Sequence, residues 1–407
     1  MIPRVSSEYS FEDIKDVLWS IMKPYQDLTR SLKFVFRKKL GFNDVFFFGS
    51  GTEALYTALK GLNIKGKDII LPGYTCGAVI KSVLLAGGKP ILVDVDINTF
   101  GLDPSKVNKA ITRNTKAMIV VYPFGNPLNI GIFKEIAVEN NIFFIEDIAQ
   151  SLGAKYRGDY VGKFGDIAVL SFGSGKGISS GGGGALVVNN RDLIDKVNMI
   201  EIISKKGIVN DMSVLIKILA MYIFSNKRYY RLVSSYVEKY TISEDGKLLD
   251  VIIKLINNEK RDTCLETYNI SKLSFPVLIS QLKRLEQIID KRHKNAELLK
   301  SLIDDRDVIL QESPNDGLHA YSRFCVVLKK YDNEFINASL RKKGIDSEIM
   351  YGYIEKIFNV LKIEEEMENS LRIARNNLCL PIHSKLDEDD IEYIASAFNQ
   401  IVHSHKL

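Results

Sequence analysis

Cysteine is scarce: Cys76, Cys264, Cys325 and Cys379 are the only four in 407 residues, far apart and without the CxxC spacing of metal and redox sites. A disulfide scaffold and a cysteine-based metal site are therefore excluded, and no metal is expected. The four read as reduced, mostly buried thiols of a cytoplasmic protein. Long apolar runs are missing too. The longest, Val214 to Phe224, is broken by Lys217 and falls far short of the ~20 residues of a spanning helix. The opening MIPRVSSEYSFEDIKDVLW has no basic stretch followed by an apolar one, so a secretory signal is not expected. Charge of one sign is in small excess, +5 overall, and no block of Lys and Arg alternates with aromatics as a nucleic-acid groove would require. Solenoid repeats and low-complexity stretches are absent. What is there is an ordinary folded composition, 46% hydrophobic and 26% charged, on a chain long enough for two domains or one large domain with an appendage.

From Asp44 to Asn190 short β-branched and aromatic runs alternate with helical patterns, the signature of a parallel sheet wrapped by helices. The runs are VFFF (45–48), IIL (69–71), ILVD (91–94), AMIVVY (117–122), IFFIED (142–147), IAVLSF (167–172) and ALVVN (185–189). EALYTALKGL and GAVIKSVLLAGG, between early runs, carry apolar residues at three and four and end in glycines that stop a helix. The rhythm breaks between 191 and 265, where the sequence is helix-like. One long helix is then expected over 281–303. A smaller α/β unit follows, with strands at RFCVVL (323–328) and near LCLPI (378–382), a helix at NEFINASLRKK (333–343), and a last helix behind the acids 387–390, which suit its positive end. The expected division is a large domain over 1–198, a helical insertion over 199–265, and the connecting helix with the small domain over 266–407.

Glycine marks the candidate sites. GSGTEA (49–54) follows a strand and opens a helix, so that the amides of Gly51, Thr52 and Glu53 and the Thr52 hydroxyl face any anion placed there. The same letters match a dinucleotide fingerprint with Asp68 as ribose acid, and a bare strand-to-helix turn would also use them. SFGSGKG (171–177) is not a nucleotide P-loop, because Leu170 and Gly177 stand where that pattern needs glycine and a hydroxyl residue. It leaves Lys176 accessible in a pliant turn past a strand end. GGGG (181–184) lets the backbone run close to a ligand or another chain. EDIAQ (146–150) puts an acid at the carboxyl end of a parallel strand, where α/β sheets face their ligands.

Pyridoxal phosphate (PLP) asks for these features together. Its aldehyde takes a lysine amine, here Lys176, which then carries the proton in transfer chemistry. Its pyridine nitrogen asks for a carboxylate, here Asp147. Its phosphate asks for amide and hydroxyl donors, here Gly51, Thr52 and Ser171.

At this point the sequence resembles the DegT/DnrJ/StrS sugar aminotransferases. The resemblance runs through SGTEAL (50–55), KDIILPGYT (67–75), GGKPILVDVD (87–96), TKAMIVVYPFGNP (115–127), IEDIAQSLGAKYRG (145–158), GKFGDIAVLSF (162–172) and Lys176. It resumes in QLKRLEQIIDKRHKNAELLK and NNLCLPIHSKLDEDDIEYI (376–394). It implies the type I PLP-dependent transferase fold: a mostly parallel seven-stranded sheet sandwiched by helices, plus a smaller C-terminal α/β domain. It also implies a Schiff base on Lys176, Asp147 on the pyridine nitrogen, Gln150 near the phenolic oxygen, and Thr52 and Ser171 on the phosphate. L-glutamate would supply the amino group, a nucleotide-linked keto sugar would receive it, and a homodimer would complete each site for surface polysaccharide or related glycan synthesis.

Three places depart from that pattern. Gly182 stands where relatives carry Glu in GEGG. Cys76 stands where they carry the aromatic that stacks on the cofactor, with Tyr74 as its expected stand-in. TYNISKL (267–273) replaces a clean partner-reaching motif. These departures keep a non-catalytic, regulatory reading in view, and Asp68 keeps a nicotinamide-dependent oxidoreductase. Over residues 199–240, Tyr222, Phe224, Tyr229, Tyr230, Tyr236 and Tyr240 mix with Lys205, Lys206, Lys217, Lys227, Arg228 and Arg231, which outnumber acids such as Glu201 and Asp211. That mixture suits a helical cap over the active-site mouth, where it would shape the acceptor-sugar pocket, or over the dimer interface, or, as the alternative, contact with a membrane surface through 205–240.

Overall fold

The computed structural model describes residues 1–6, 8–200, 208–257, 265–329, 332–363 and 365–404. Cys264, and Glu201, Lys205 and Lys206 of the insertion, lie outside the described residues. Two helices, α1 (Phe11–Ser20) and α2 (Tyr25–Val35), lead into an alternating series: β1 (Val45–Phe48), α3 (Gly51–Gly61), β2 (Asp68–Pro72), α4 (Gly77–Leu85), β3 (Lys89–Val93), α5 (Pro104–Ala110), β4 (Thr115–Val121), α6 (Ile130–Glu139) and β5 (Phe143–Asp147). A small hairpin, β6 (Lys155–Tyr156) and β7 (Asp159–Tyr160), precedes β8 (Ile167–Ser171) and β9 (Gly184–Val188). All seven expected strands join one sheet in the order β1-β9-β8-β5-β4-β2-β3. Its ladders are parallel from β3 to β8, and β9 runs antiparallel to both β8 and β1.

Successive residues of a strand face opposite sides, and here both sides are core. Ile70, Met118 and Val120 join one hydrophobic cluster, while Ile69, Leu71 and Ile119 join the other. This is why the strands read as continuous apolar runs rather than alternating ones. Each buried aliphatic side chain contributes about 1.5–3 kcal/mol relative to exposure. Phe36 and Phe275 close the first face, and α3 and α4 close the second.

Helices α7 (Ile194–Asn198), α8 (Ile208–Phe224), α9 (Lys227–Tyr230) and α10 (Ser234–Ile256) follow the sheet. Val214 and Ile218 of α8 pack with Val17 of α1, while Met212, Ile216 and Ile223 stay exposed. No helix among the described residues is long and apolar enough to cross a membrane. The single helix expected over 281–303 is in fact two, α11 (Ser274–Lys283) and α12 (Leu285–Leu302). Arg284 leaves helical geometry at φ −98°, ψ 5°. Its guanidinium is drawn to the Asp13 carboxylate (2.8 Å) and the Glu8 carbonyl (3.1 Å), a tertiary tie that periodicity does not display.

Beyond α12 come β10 (Val308–Leu310), β11 (Gly317–Leu318), β12 (Phe324–Leu328), α13 (Asn333–Lys342), α14 (Ile354–Leu361), α15 (Glu368–Asn376), β13 (Asn377–Leu380) and α16 (Glu388–Ser404). The antiparallel sheet β10-β12-β13 carries a third core, to which Leu299, Ile336 and Ile394 contribute. Asp387 and Asp390 cap α16 reciprocally, each accepting the other's amide at 2.9 and 3.1 Å. The chain's start is sewn into this unit: the Ile2 amide donates to the Gly344 carbonyl and the Asp346 amide to the Ile2 carbonyl.

Candidate active site

The carboxyl ends of β5 and β8 and the amino ends of α3 and α4 meet on one side of the sheet. Gly51 begins α3 directly against the end of β8, where a Cβ on Gly51 would come within 2.9 Å of the Ser171 Cβ. Gly184 of β9 lies closer still, since its Cβ would sit 2.4 Å from the Gly51 nitrogen. No larger residue fits either place, so the Ser171 hydroxyl stands against the helix terminus, whose second residue is Thr52, and the two make a small polar seat available there. Neither hydroxyl bonds to another described residue. A helix N-terminus with unspent donors is an anion site.

Glu53 has a different task from the cofactor contact expected of it. Its amide donates to the Ser50 hydroxyl, the N-cap, at 3.1 Å. Its carboxylate accepts from the amides of Gly49 (3.2 Å) and Tyr268 (2.8 Å) and from the Ser50 hydroxyl (3.2 Å). Both ends are spent on holding the loop, which leaves the seat to Gly51, Thr52 and Ser171. TYNISKL thus closes onto α3 through Tyr268.

The two acids of EDIAQ diverge because neighbours on a strand point apart. Glu146 is fully buried and accepts from the amides of Gly162, Phe164 and Gly165 and from the Tyr122 hydroxyl, all within 2.8 Å. It fastens the GKFG loop. Asp147 turns to the site. Its Oδ1 accepts from the Ala149 amide at 3.0 Å, while Oδ2 takes no hydrogen bond from any described residue. Burial pushes its carboxyl above the ordinary range, and the Ala149 amide and Lys176 pull the other way. A protonated pyridine nitrogen is the cation this oxygen lacks, so the residues fit PLP.

Lys176 stands in the turn after β8, half-buried, its amide on the Gly173 carbonyl at 3.2 Å. It is near enough to draw down the Asp147 carboxyl and the Cys76 thiol, which burial pushes up. Cys76 is the N-cap of α4 and is free, as are the buried Cys325 and Cys379. Tyr74 does not stand in for the missing aromatic. It is only 2% exposed, its hydroxyl donates to the Met350 carbonyl at 3.2 Å, and its ring packs on Phe124 and Tyr351. The rings beside Cys76 come instead from MYGYI in the C-terminal unit. Tyr353 accepts the Gly77 amide at 3.0 Å, and Tyr351 accepts from the Gln150 amide group. Gln150 in turn accepts from the Phe124 amide at 2.8 Å, so it approaches a ligand oxygen with its remaining N–H alone.

Two further groups reach the site without a local signal. Leu248 and Ile252 of α10 press on Gly77, each within 3.2 Å of its would-be Cβ. Asp245, one turn earlier, is pushed up to about 6 by burial, with Glu348 and Glu244 adding. Arg323 and Arg292 reach the Lys176 turn from below. Asp68, by contrast, lies at the amino end of β2 and accepts from the Thr112 hydroxyl at 3.0 Å. It is across the sheet from α3's amino end and cannot serve a nucleotide there, which removes the nicotinamide reading.

A mostly parallel seven-stranded sheet with a lysine turn and an acid at its carboxyl edge is the architecture of the PLP-dependent aminotransferases, and this chain is of that class. It belongs to the DegT/DnrJ/EryC1/StrS aminotransferase family, which it matches over residues 8–222 and 254–399. The dTDP-4-amino-4,6-dideoxy-D-glucose transaminase of Shigella dysenteriae is 26% identical over 89% of this chain and 87% of its own. A pleiotropic regulatory protein of Geobacillus stearothermophilus is 24% identical over 97% and 96%. The fold is shared with Helicobacter pylori PseC, an aminotransferase involved in the biosynthesis of pseudoaminic acid, at a TM-score of 0.77 over 99% of this chain and 100% of that one, with 18% identity.

Proposed function

We propose that this enzyme binds PLP on Lys176 and moves an amino group from L-glutamate to the keto group of a nucleotide-linked sugar destined for a surface polysaccharide or related glycan. The observation that carries this reading is the open Oδ2 of buried Asp147 within the influence of Lys176, with the Gly51, Thr52 and Ser171 seat on the same side of the sheet. PLP, when bound, supplies an aldehyde for the lysine amine and a ring that takes up the electron pair left when the amino-bearing carbon loses its proton. Lys176 holds and moves that proton. Asp147 keeps the opposite end of the site negative, and the α3 terminus with its two hydroxyls binds the phosphate. Tyr351, locked to Gln150, and Tyr353, locked to α4, keep water from the Cys76 side. α10 is the cap in this reading, shaping the acceptor pocket with Asp245, Leu248 and Ile252. The proposal includes a homodimer, for which Trp19, Met22 and Ile216 offer exposed apolar surface.

The test is a spectrum of the purified protein with PLP, followed by L-glutamate. A near-visible band that is absent from Lys176→Ala and is converted by glutamate is expected. A colourless wild type that ignores PLP sinks the proposal. A band that no amino donor converts would instead favour the regulatory role that the Geobacillus relative's name and Gly182 suggest.

A further inference from the structure

The turn that carries Lys176 has little stiffness of its own, with glycine at 173, 175 and 177. What restrains it comes from α12 and the C-terminal unit beyond it. Arg323 donates through Nη1 to the Gly175 carbonyl at 2.9 Å, and Arg292 donates through Nη2 to the Gly177 carbonyl at 2.7 Å. These carbonyls belong to the residues on either side of Lys176. Gly175 holds φ +83°, and a Cβ on Gly177 would come within 2.8 Å of the Arg292 Nη1. Both arginines are buried, Arg323 at 8% and Arg292 at 3% exposure.

Each arginine is in turn held by the first residues of the chain. Arg292 pairs with the Glu8 carboxylate at 2.7 Å, and the Ser384 hydroxyl donates to the other Glu8 oxygen. Arg323 pairs with Glu348 at 3.3 Å, whose second oxygen accepts from Arg4 Nη1 at 3.1 Å. Arg4 grips Asp346 with two parallel bonds of 2.7 and 3.0 Å. Burial opposes the charge on Glu348, yet Arg323 and Arg4 hold its carboxyl below the usual range. Tyr9, 3% exposed, reaches Ser179 and Gly181 farther along the same loop.

We infer that Arg292 and Arg323 are positioning residues that set where the Lys176 amine stands, and that the amino-terminal segment, through Glu8 and Arg4, holds both arginines in place. The inference rests on the proposal that Lys176 carries PLP. Its physical ground is that a reacting amine must be held within a fraction of an ångström, and a glycine-rich turn cannot supply that by itself. Rigid, planar guanidinium groups that bond at once to the turn and to a buried carboxylate can, and the flexible ammonium of lysine is a poorer replacement.

The experiment uses the full chain loaded with PLP and compares wild type with Arg292→Lys, Arg323→Lys, Glu8→Gln and Arg4→Lys. The last two stand at the outer ends of the chains of contacts and serve if an arginine variant does not fold. Two spectroscopic quantities are read: the pH midpoint of the near-visible band and the rate at which L-glutamate converts it. The midpoint should move by about half a pH unit or more, as expected when a charged group changes its surroundings. The conversion rate should fall about 10- to 100-fold, the scale of an ångström-sized misplacement. The second arm is done in Lys176→Ala, with methylamine supplied as the free amine. There Arg292→Lys should change neither PLP affinity nor the rescued rate, since no tethered amine remains to be positioned.

Unmoved midpoints and rates in variants of a banded wild type overturn this inference alone. Losses that persist in Lys176→Ala also overturn it, because they would assign the arginines to general folding. A wild type without the band takes the PLP proposal down with it.

Discussion

The large sheet and the C-terminal unit build the same site by opposite means. The sheet places Asp147, Ser171 and the α3 terminus by short local devices: a strand end, a glycine turn, a capped helix. The C-terminal unit and the helix α12 that leads to it send Arg292, Arg323, Tyr351 and Tyr353 across long sequence separations, with Arg323 and Gly175 148 residues apart. In the proposed function, groups of the first kind make the chemistry, while groups of the second kind hold it in place and limit access to it. The difference shows within a single dipeptide as well. Glu146 and Asp147 are adjacent, yet one is spent on four hydrogen bonds to the fold and the other keeps an oxygen open to the site.

Substitutions test this division, beginning with the largest effect. Removing the amine in Lys176→Ala should slow single-turnover amino transfer by about 10²–10⁴-fold or more, the worth of a positioned proton carrier, and stopped-flow absorbance reads this directly. Asp147→Asn should cost about 10²–10³-fold, as loss of a preorganised electrostatic partner does, while leaving the thermal midpoint near wild type. A rate within threefold of wild type would end its assignment to the ring nitrogen. Glu146→Gln should do the reverse. It should lower unfolding free energy in urea by about 2–3 kcal/mol, since hydrogen bonds to a buried charge are lost, and preserve the shape of the PLP band.

Smaller effects sharpen the boundary. Ser171→Ala should weaken PLP binding by about 1 kcal/mol, or roughly fivefold, the net value of one hydrogen bond, as measured by equilibrium dialysis. Asp245→Asn probes the cap. Its carboxyl titrates at about 6 in the folded protein against roughly 3.9 unfolded, so ionisation disfavours the folded state, and wild-type stability falls as pH rises from about 4 to 6. The Asn variant should therefore melt higher than wild type at pH 8 and equally at pH 4. A gain of the same size at both pH values would mean that the carboxyl is not perturbed by its surroundings.

Much of the sheet was legible because its evidence is local: short runs of three to six residues, separated by helical patterns, need no knowledge of distant contacts. Lys176, Asp147, Thr52 and Ser171 stood out because each lies at a strand end or within a few letters of one. Tyr74 misled because spacing beside Cys76 says nothing of which way a ring turns. Glu53 misled because its partner, Tyr268, is 215 residues away. The break at Arg284 was hidden for the same reason.

By itself the sequence determined the strands, the glycines at the close approaches and the residue types that PLP chemistry needs, since these are matters of local pattern and chemistry. Only the tertiary structure decided that Glu146 and Glu53 are spent on the fold, which rings stand beside Cys76, and that Arg292 and Arg323 bond to the carbonyls on either side of Lys176. Side-chain direction and contacts between distant segments arise when separate elements pack into one core, and no stretch of sequence carries that by itself.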